Sequence, residues 1–217
     1  MTKRLFGRMS VEAPPEDILK RYFRLYPGKP LYFEPETLPM ISSETLFGNA
    51  KPLALDLGCG RAEFSIAQAQ LRPEWNWIGI DVERKPLWYA VRCAAAADLD
   101  NILFVKADLR LVMRKVPDGV VPATYVLFPS PAVKHKHENR DVLTERFIAD
   151  IRRVLMPGGH FAFVTDHREY FQKVLPQLDA QLQRVRQTEG IEGGPTWYQR
   201  LWERRGIPSL RVEYVKS

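Results

Sequence analysis

From Pro52 onward, short apolar runs alternate with amphipathic stretches, and this alternation restricts the fold more than any other feature of the chain. Leu53-Ala-Leu-Asp-Leu57 is a buried run of strand length, followed by Gly58-Cys-Gly60 and an amphipathic stretch from Ala62 to Leu71. Trp77–Ile80, Ile102–Val105, Thr124–Phe128 and His160–Val164 are further strand-like runs. The segments 85–97, 109–116, 141–155 and 168–178 between and after them read as helices, with the clearest apolar period in 141–155. Pro157-Gly-Gly159 closes the helix at 141–155. Strands and helices in this order predict an α/β, Rossmann-like domain: a seven-stranded, mostly parallel sheet with helices on both faces. Its last strand or two come from the C-terminal arm around 207–216. Ligands of such sheets bind beyond the carboxyl ends of the strands. Candidate functional residues therefore belong just after a strand.

The first fifty residues differ in kind. They hold Tyr22, Phe23, Tyr26, Pro27, Pro30, Tyr32, Phe33 and Pro35, with one helix at about 16–25 and then a proline-punctuated, extended path. Residues 1–50 are read as an N-terminal extension that packs on the domain or grips a ligand, and 51–217 as the domain itself. A 45% hydrophobic and 27% charged composition excludes wholesale disorder and fibrous repeats. The formal charge of +6 is uneven: residues 1–30 carry +4, 184–217 carry +3, and 51–129 only +1. Basic ends around a neutral middle suit a polyanionic partner, although charge alone reads first as solvated termini that favour solubility. Two cysteines make neither a disulfide framework nor a zinc site. No apolar run reaches membrane-span length and no signal-peptide core is present, so a cytoplasmic protein without a membrane partner is expected.

After the first strand, Asp56-Leu-Gly58-Cys-Gly60 lets backbone approach a ligand closely, but a glycine pair alone is a weak signal. A dinucleotide loop has a third glycine three residues on; here that position is Glu63, an anion facing where a diphosphate would lie. NAD and FAD are disfavoured. Asp81 ends the second strand, where a carboxylate accepts two ribose hydroxyls. Asp108 follows the third, within reach of an adenine amine. Three acids at three successive strand ends match S-adenosyl-L-methionine, converted to S-adenosylhomocysteine: Asp56 toward its amino-acid and sulfonium end, Asp81 for ribose, Asp108 for adenine. Any one of these acids alone also reads as a helix N-cap.

With these residues in view the chain resembles the class I methyltransferases, and more narrowly the bacterial tRNA (guanine-N7)-methyltransferase family. The resemblance runs from about Phe47 to the C-terminus. Phe47-Gly-Asn and Pro52-Leu-Ala-Leu-Asp-Leu-Gly-Cys-Gly resemble the family's entry into its first strand, and Gly79-Ile-Asp81 its Gly-Ile-Glu. Phe128-Pro-Ser-Pro-Ala-Val-Lys134 resembles its Phe-Pro-Asp-Pro-Trp-Pro-Lys loop. Leu155-Met-Pro-Gly-Gly and Val164-Thr-Asp-His-Arg-Glu-Tyr-Phe171 resemble its fifth-strand region, and Thr196-Trp-Tyr-Gln199 its Thr-x-Phe/Tyr-Glu segment. The resemblance implies cofactor roles for Asp56, Gly58, Gly60, Asp81 and Asp108. It implies substrate-side roles for Lys134, Asp166, Thr196 and Gln199, a catalytic position at Ser130 beside Asp166, and RNA contact around Lys136 and Arg140. It also implies tRNA as partner, no metal, and a monomer or homodimer.

Two departures stand out: the family's catalytic-loop Asp is Ser130 here, and its C-terminal Glu is Gln199. Two rivals follow: a divergent methyltransferase with another RNA or small-molecule substrate, and an inactive protein that binds S-adenosylmethionine and RNA. Lys134-His-Lys-His-Glu-Asn-Arg140 reads as a phosphate-gripping loop or a solvated one. His135 and His137 have no third metal ligand nearby in sequence. His167 reads as a surface or capping residue rather than a base. Trp75, Trp77 and Trp88 read as packing; Trp197, Tyr198 and Trp202, among Arg200, Arg204 and Arg205, read either as base-stacking or as packing groups. Cys59 reads as tight packing rather than a nucleophile. Lys3, Arg4 and Arg8 are a tail or an RNA-gripping arm.

Overall fold

The computed structural model describes residues 11–130, 141–190 and 196–217. Strands β1 (Phe23–Leu25), β2 (Leu53–Leu57), β3 (Asn76–Asp81), β4 (Ile102–Lys106), β5 (Val121–Leu127), β6 (Leu155–Thr165), β7 (Gln183–Glu189) and β8 (Leu210–Val215) form one sheet. Its order is β1-β4-β3-β2-β5-β6-β8-β7, parallel from β1 to β6, with β8 antiparallel to both its neighbours. Strand order reverses between β2 and β5, so the carboxyl ends of these two strands flank the crevice where such sheets take ligands.

Side-chain alternation along the strands divides the core. Ala54, Trp77, Phe104, Tyr125 and Ala162 face one side, where they meet Phe64 and Ala69 of helix α4 (Glu63–Leu71) and Leu87, Ala90, Val91 and Ala94 of α5 (Arg84–Ala96). The spacing of the four α5 residues is that of a single helix face. Leu55, Ile78, Leu103, Val126 and Phe163 face the other side. There α6 (Leu109–Val112), α7 (Glu145–Val154) and α8 (Arg168–Asp179) cover them with Val112, Ile148, Ile151, Phe171 and Val174. Preceding these, α1 (Glu16–Tyr22), α2 (Gly28–Phe33) and α3 (Ser43–Phe47) lead into the domain, and α9 (Trp197–Arg204) precedes β8.

The C-terminal arm supplies one strand, β8, and two strands outside the expected pattern, β1 and β7, bring the count to eight rather than seven. The helix predicted over 16–25 stops at Tyr22. Phe23 turns extended (φ −128°, ψ 138°) and β1 pairs in parallel with β4, Phe23 opposite Phe104. The aromatic and β-forming residues that end this segment favour a strand once an open sheet edge is beside them. The second is β7, whose residues are nearly all exposed, so no apolar period marks it. Its register with β8 slips between Arg184 and Arg186, on either side of the exposed Val185. β6 also begins earlier than predicted. Leu155 already pairs with Val121, and Pro157-Gly158-Gly159 forms a kink within the strand rather than its boundary. Gly158 has φ +74°, and a Cβ on Gly159 would lie 2.8 Å from the Met156 carbonyl oxygen.

Candidate functional site

The glycine loop is built from both sides. The Gly58 and Cys59 N–H groups donate to the Ile80 carbonyl at 2.8 and 3.1 Å, tying the loop to the end of β3. Gly58, Gly60 and Ala62 have φ of +85°, +54° and +53°, so the chain reaches α4 through three left-handed residues. Glycine tolerates this conformation at no cost, and alanine at Ala62 holds strain. The Gly60 N–H donates to Asp81 Oδ2 at 2.9 Å, while Asp81 Oδ1 accepts from the Glu83 N–H at 2.8 Å. Asp81 therefore grips the loop and keeps lone pairs on both oxygens for further donors. Burial raises its pKa, against which the Glu83 and Gly60 N–H groups act.

Beneath the loop, Asp56 is 2% exposed; Oδ2 accepts from the Ser65 hydroxyl of α4, and Oδ1 is buried with no partner. A buried orphan acceptor next to a loop that leaves open space at Gly60 fits a ligand carrying a cationic group. Burial pushes the Asp56 pKa up to about 7, with Asp81 adding to the rise and the Ser65 hydroxyl opposing it. The unfolded chain releases this proton in the ordinary carboxylate range, and the folded chain holds it to about pH 7. Over that window the folded state binds more protons, so the stability from this group falls as pH rises through it. A cationic ligand reverses the preference. Affinity is expected to climb from pH 5.5 to 8, with proton release on binding below about pH 7. Calorimetry in buffers of different ionisation enthalpy checks this, with Asp56→Asn expected to flatten the pH dependence.

Cys59 is part of the loop's packing. A Cβ on Gly79 would lie 2.9 Å from Cys59 Sγ and 3.1 Å from a Phe104 ring carbon, and burial drives the Cys59 thiol pKa well up. A thiol held neutral in this way is no nucleophile. Gly79→Ala is expected to cost about 1–3 kcal/mol through overpacking. A lowered urea midpoint at unchanged slope is the readout.

Asp108 follows β4 and caps α6, accepting from the Arg110 N–H at 3.0 Å. The Arg110 guanidinium also grips it, Nη2 to Oδ2 at 2.9 Å and Nε to Oδ1 at 3.2 Å. These bonds hold its carboxyl below the usual range. An adenine amine has to share this carboxylate with Arg110.

On the other side of the crevice, Ser130 is exposed, beyond the end of β5. Phe128, which precedes it by two residues, has φ +52° and donates its N–H to the Val164 carbonyl at 2.8 Å. Asp166 follows β6 and is half-buried; no described residue donates a hydrogen bond to its carboxylate. His167 is the N-cap of α8, its Nδ1 accepting from the Tyr170 N–H at 3.2 Å. That lone pair is committed to the helix, as a capping reading requires.

Thr196 and Gln199 cap the start of α9 together. The Gln199 N–H donates to Thr196 Oγ1 and the Thr196 N–H to Gln199 Oε1, both at 3.0 Å. This is a capping box, a pattern legible in the Thr-x-x-Gln spacing but not read from it. Sequence reasoning also missed two ion pairs, Arg110 on Asp108 and Arg200 on Glu63, the latter 3.1 Å apart and 137 residues distant. It missed Asp141 too, which accepts from the Tyr170 hydroxyl at 2.6 Å and from Lys173 Nζ at 2.9 Å. Arg110 is the one with a local signal, a cation two residues from an acid. Lys134, Lys136 and Arg140 lie outside the described residues, as do Lys3, Arg4 and Arg8 and the side chains of Trp197, Tyr198 and Trp202.

A glycine loop, acids at the ends of β2, β3 and β4, and a mostly parallel sheet define a Rossmann-like methyltransferase fold. Solved structures agree. The aminoglycoside resistance methyltransferase NpmB1 matches with TM-score 0.59 at 25% identity, covering 76% of this chain and 87% of its own. The 16S rRNA methyltransferase KamB matches with TM-score 0.62 at 17% identity over 79% and 90%. A family model described as "Putative methyltransferase" matches residues 50–206. A tRNA (guanine-N(7)-)-methyltransferase of Rubrobacter xylanophilus is 36% identical over the whole of both chains. One from Chloroflexus aurantiacus is 37% identical over 96% of each. The chain belongs to the tRNA (guanine-N7)-methyltransferase family.

Proposed function

We propose that this protein transfers the methyl group of S-adenosylmethionine to N7 of a guanosine in tRNA. The observation that carries the reading is the row of Asp56, Asp81 and Asp108 at three adjacent strand ends, in a chain related along its full length to enzymes of that name. When bound, S-adenosylmethionine supplies a sulfonium-activated methyl group. Asp81 holds the ribose with the lone pairs its loop contacts leave, Asp56 faces the cationic end, and Asp108 meets the adenine beside Arg110. Gly58 and Gly60 let the backbone approach.

Guanine N7 carries an in-plane lone pair, so no base is needed, and alignment for in-line displacement does most of the work. The methylated ring is cationic. Asp166, unengaged by any described donor, stabilises that charge as it develops, and Ser130 offers a hydroxyl where the family has a carboxylate. Lys134, Thr196 and Gln199 position the guanosine, the last two through the helix start they cap. Lys136 and Arg140 hold phosphates without reading sequence. Residues 1–50 serve as the extension and 51–217 as the methyltransferase domain. No described helix is long and apolar enough to cross a membrane, and a tRNA substrate puts the reaction in the cytoplasm.

The test is incubation of purified protein with labelled S-adenosylmethionine and tRNA lacking 7-methylguanosine, followed by nucleoside analysis. Label in 7-methylguanosine is expected. Label in another nucleoside, or none although calorimetry detects cofactor binding, overturns the reading.

A further inference from the structure

One ion pair joins the two halves of the site. Glu63 is the first residue of α4 and follows the left-handed Ala62, so the glycine loop fixes where its carboxylate sits. Arg200, the residue after Gln199 on α9, donates from Nη2 to Glu63 Oε1 at 3.1 Å. The contacts form a continuous series. Asp81 holds the Gly60 N–H, the loop carries Glu63, Glu63 holds Arg200, and Arg200 lies on the helix that Thr196 and Gln199 cap.

We propose that Glu63 and Arg200 are positioning residues that tie the placement of the RNA-side helix α9 to the cofactor loop. The proposal rests on the function given above, because it takes α9 as the element that meets RNA. Neither side chain need touch either ligand. An anion at Glu63 would repel a diphosphate, and its ionic partner on α9 gives that charge a use in this loop. Cofactor that steadies Asp81 and Gly60 steadies Glu63, and through Arg200 it steadies α9 before RNA arrives. RNA then meets a helix already in place and binds more tightly. The effect is reciprocal, since a coupling free energy between two ligands has one value. With side chains 43% and 19% exposed, the pair contributes little to global stability, so variants of either residue keep the fold.

The experiment measures binding of fluorescein-labelled tRNA by anisotropy, with and without saturating S-adenosylhomocysteine, which blocks turnover. The wild-type protein is expected to bind tRNA about fivefold more tightly with the nucleoside present. Glu63→Gln and Arg200→Gln should each abolish most of that enhancement while their own S-adenosylhomocysteine affinity, by calorimetry, changes less than about twofold. Arg200→Lys keeps the charge and should recover much of the enhancement. A purely structural role for the pair would lower both affinities and leave their ratio alone. An uncoupled wild type, or full enhancement in both glutamine variants, overturns the proposal. A wild type that binds tRNA but transfers no methyl group refutes the function, and the enhancement ratio still decides the coupling. One that binds no tRNA refutes both.

Discussion

Asp81→Ala is expected to weaken S-adenosylhomocysteine binding by about 10²- to 10⁴-fold, measured by calorimetry. Two hydrogen bonds from ribose hydroxyls to a carboxylate contribute about 1.5–3 kcal/mol each, and their loss accounts for that range. The same substitution removes the acceptors of the Gly60 and Glu83 N–H groups, so the loop loses its hold on β3 as the ligand loses its anchor. Folding should survive. Burial raises the Asp81 pKa, so its charge is a strain on the unliganded protein that alanine relieves. Asp81→Asn should fall between, because an amide offers one acceptor oxygen and turns its NH₂ toward one of two backbone donors. A loss below tenfold for Asp81→Ala would show that ribose is held elsewhere.

Ser130→Asp is expected to raise the single-turnover rate of methyl transfer by about 10- to 100-fold. A charged group aimed at charge that develops in the transition state is worth about 3 kcal/mol, and this position lacks one. The site tolerates the change because Ser130 is exposed. The backbone leading to it is pinned by the Phe128 N–H on Val164, so the new carboxylate enters a fixed frame. Gln199→Glu is the instructive control. The oxygen Gln199 uses in the capping box is one that a glutamate also has, so the helix start is unchanged and the gain should stay within about threefold. Equal rates for wild type and Ser130→Asp would mean that Asp166 alone meets the developing charge, or that the pocket serves another substrate.

The parts of this fold that were legible are those whose burial is written in one dimension. All five residues of β2 are buried, and the run Leu53–Leu57 was readable to the residue. Leu87, Ala90, Val91 and Ala94 announce α5 through their spacing alone. β7 announces nothing, because exposure on both faces leaves no period to find. β1 was hidden at the end of a helical stretch, since its pairing with β4 is decided by a sheet edge eighty residues away rather than by neighbours. Pro157-Gly-Gly159 was read as a stop because a kink inside a strand and a loop between elements use the same residues. In the site, the acids could be found because strand ends could. Their partners could not: Arg200 meets Glu63 only once the fold brings positions 137 residues apart together. Thr196 and Gln199 stood out through family resemblance, while their mutual capping is a local fact that the spacing carried unread.

The sheet has two edges, the three-residue β1 and the seven-residue β7, and the longer one leaves a row of backbone donors and acceptors available to any passing strand. Along that row Val185 is the single large apolar side chain, set between Arg184 and Arg186 where the register slips. Two molecules meeting edge to edge would crowd like charges and misaligned backbones, so fibre-like growth is opposed by the same basic residues that favour a polyanion. Nucleic acid in excess would neutralise that guard, and the concentration at which this chain clusters should therefore depend on how much RNA shares the solution.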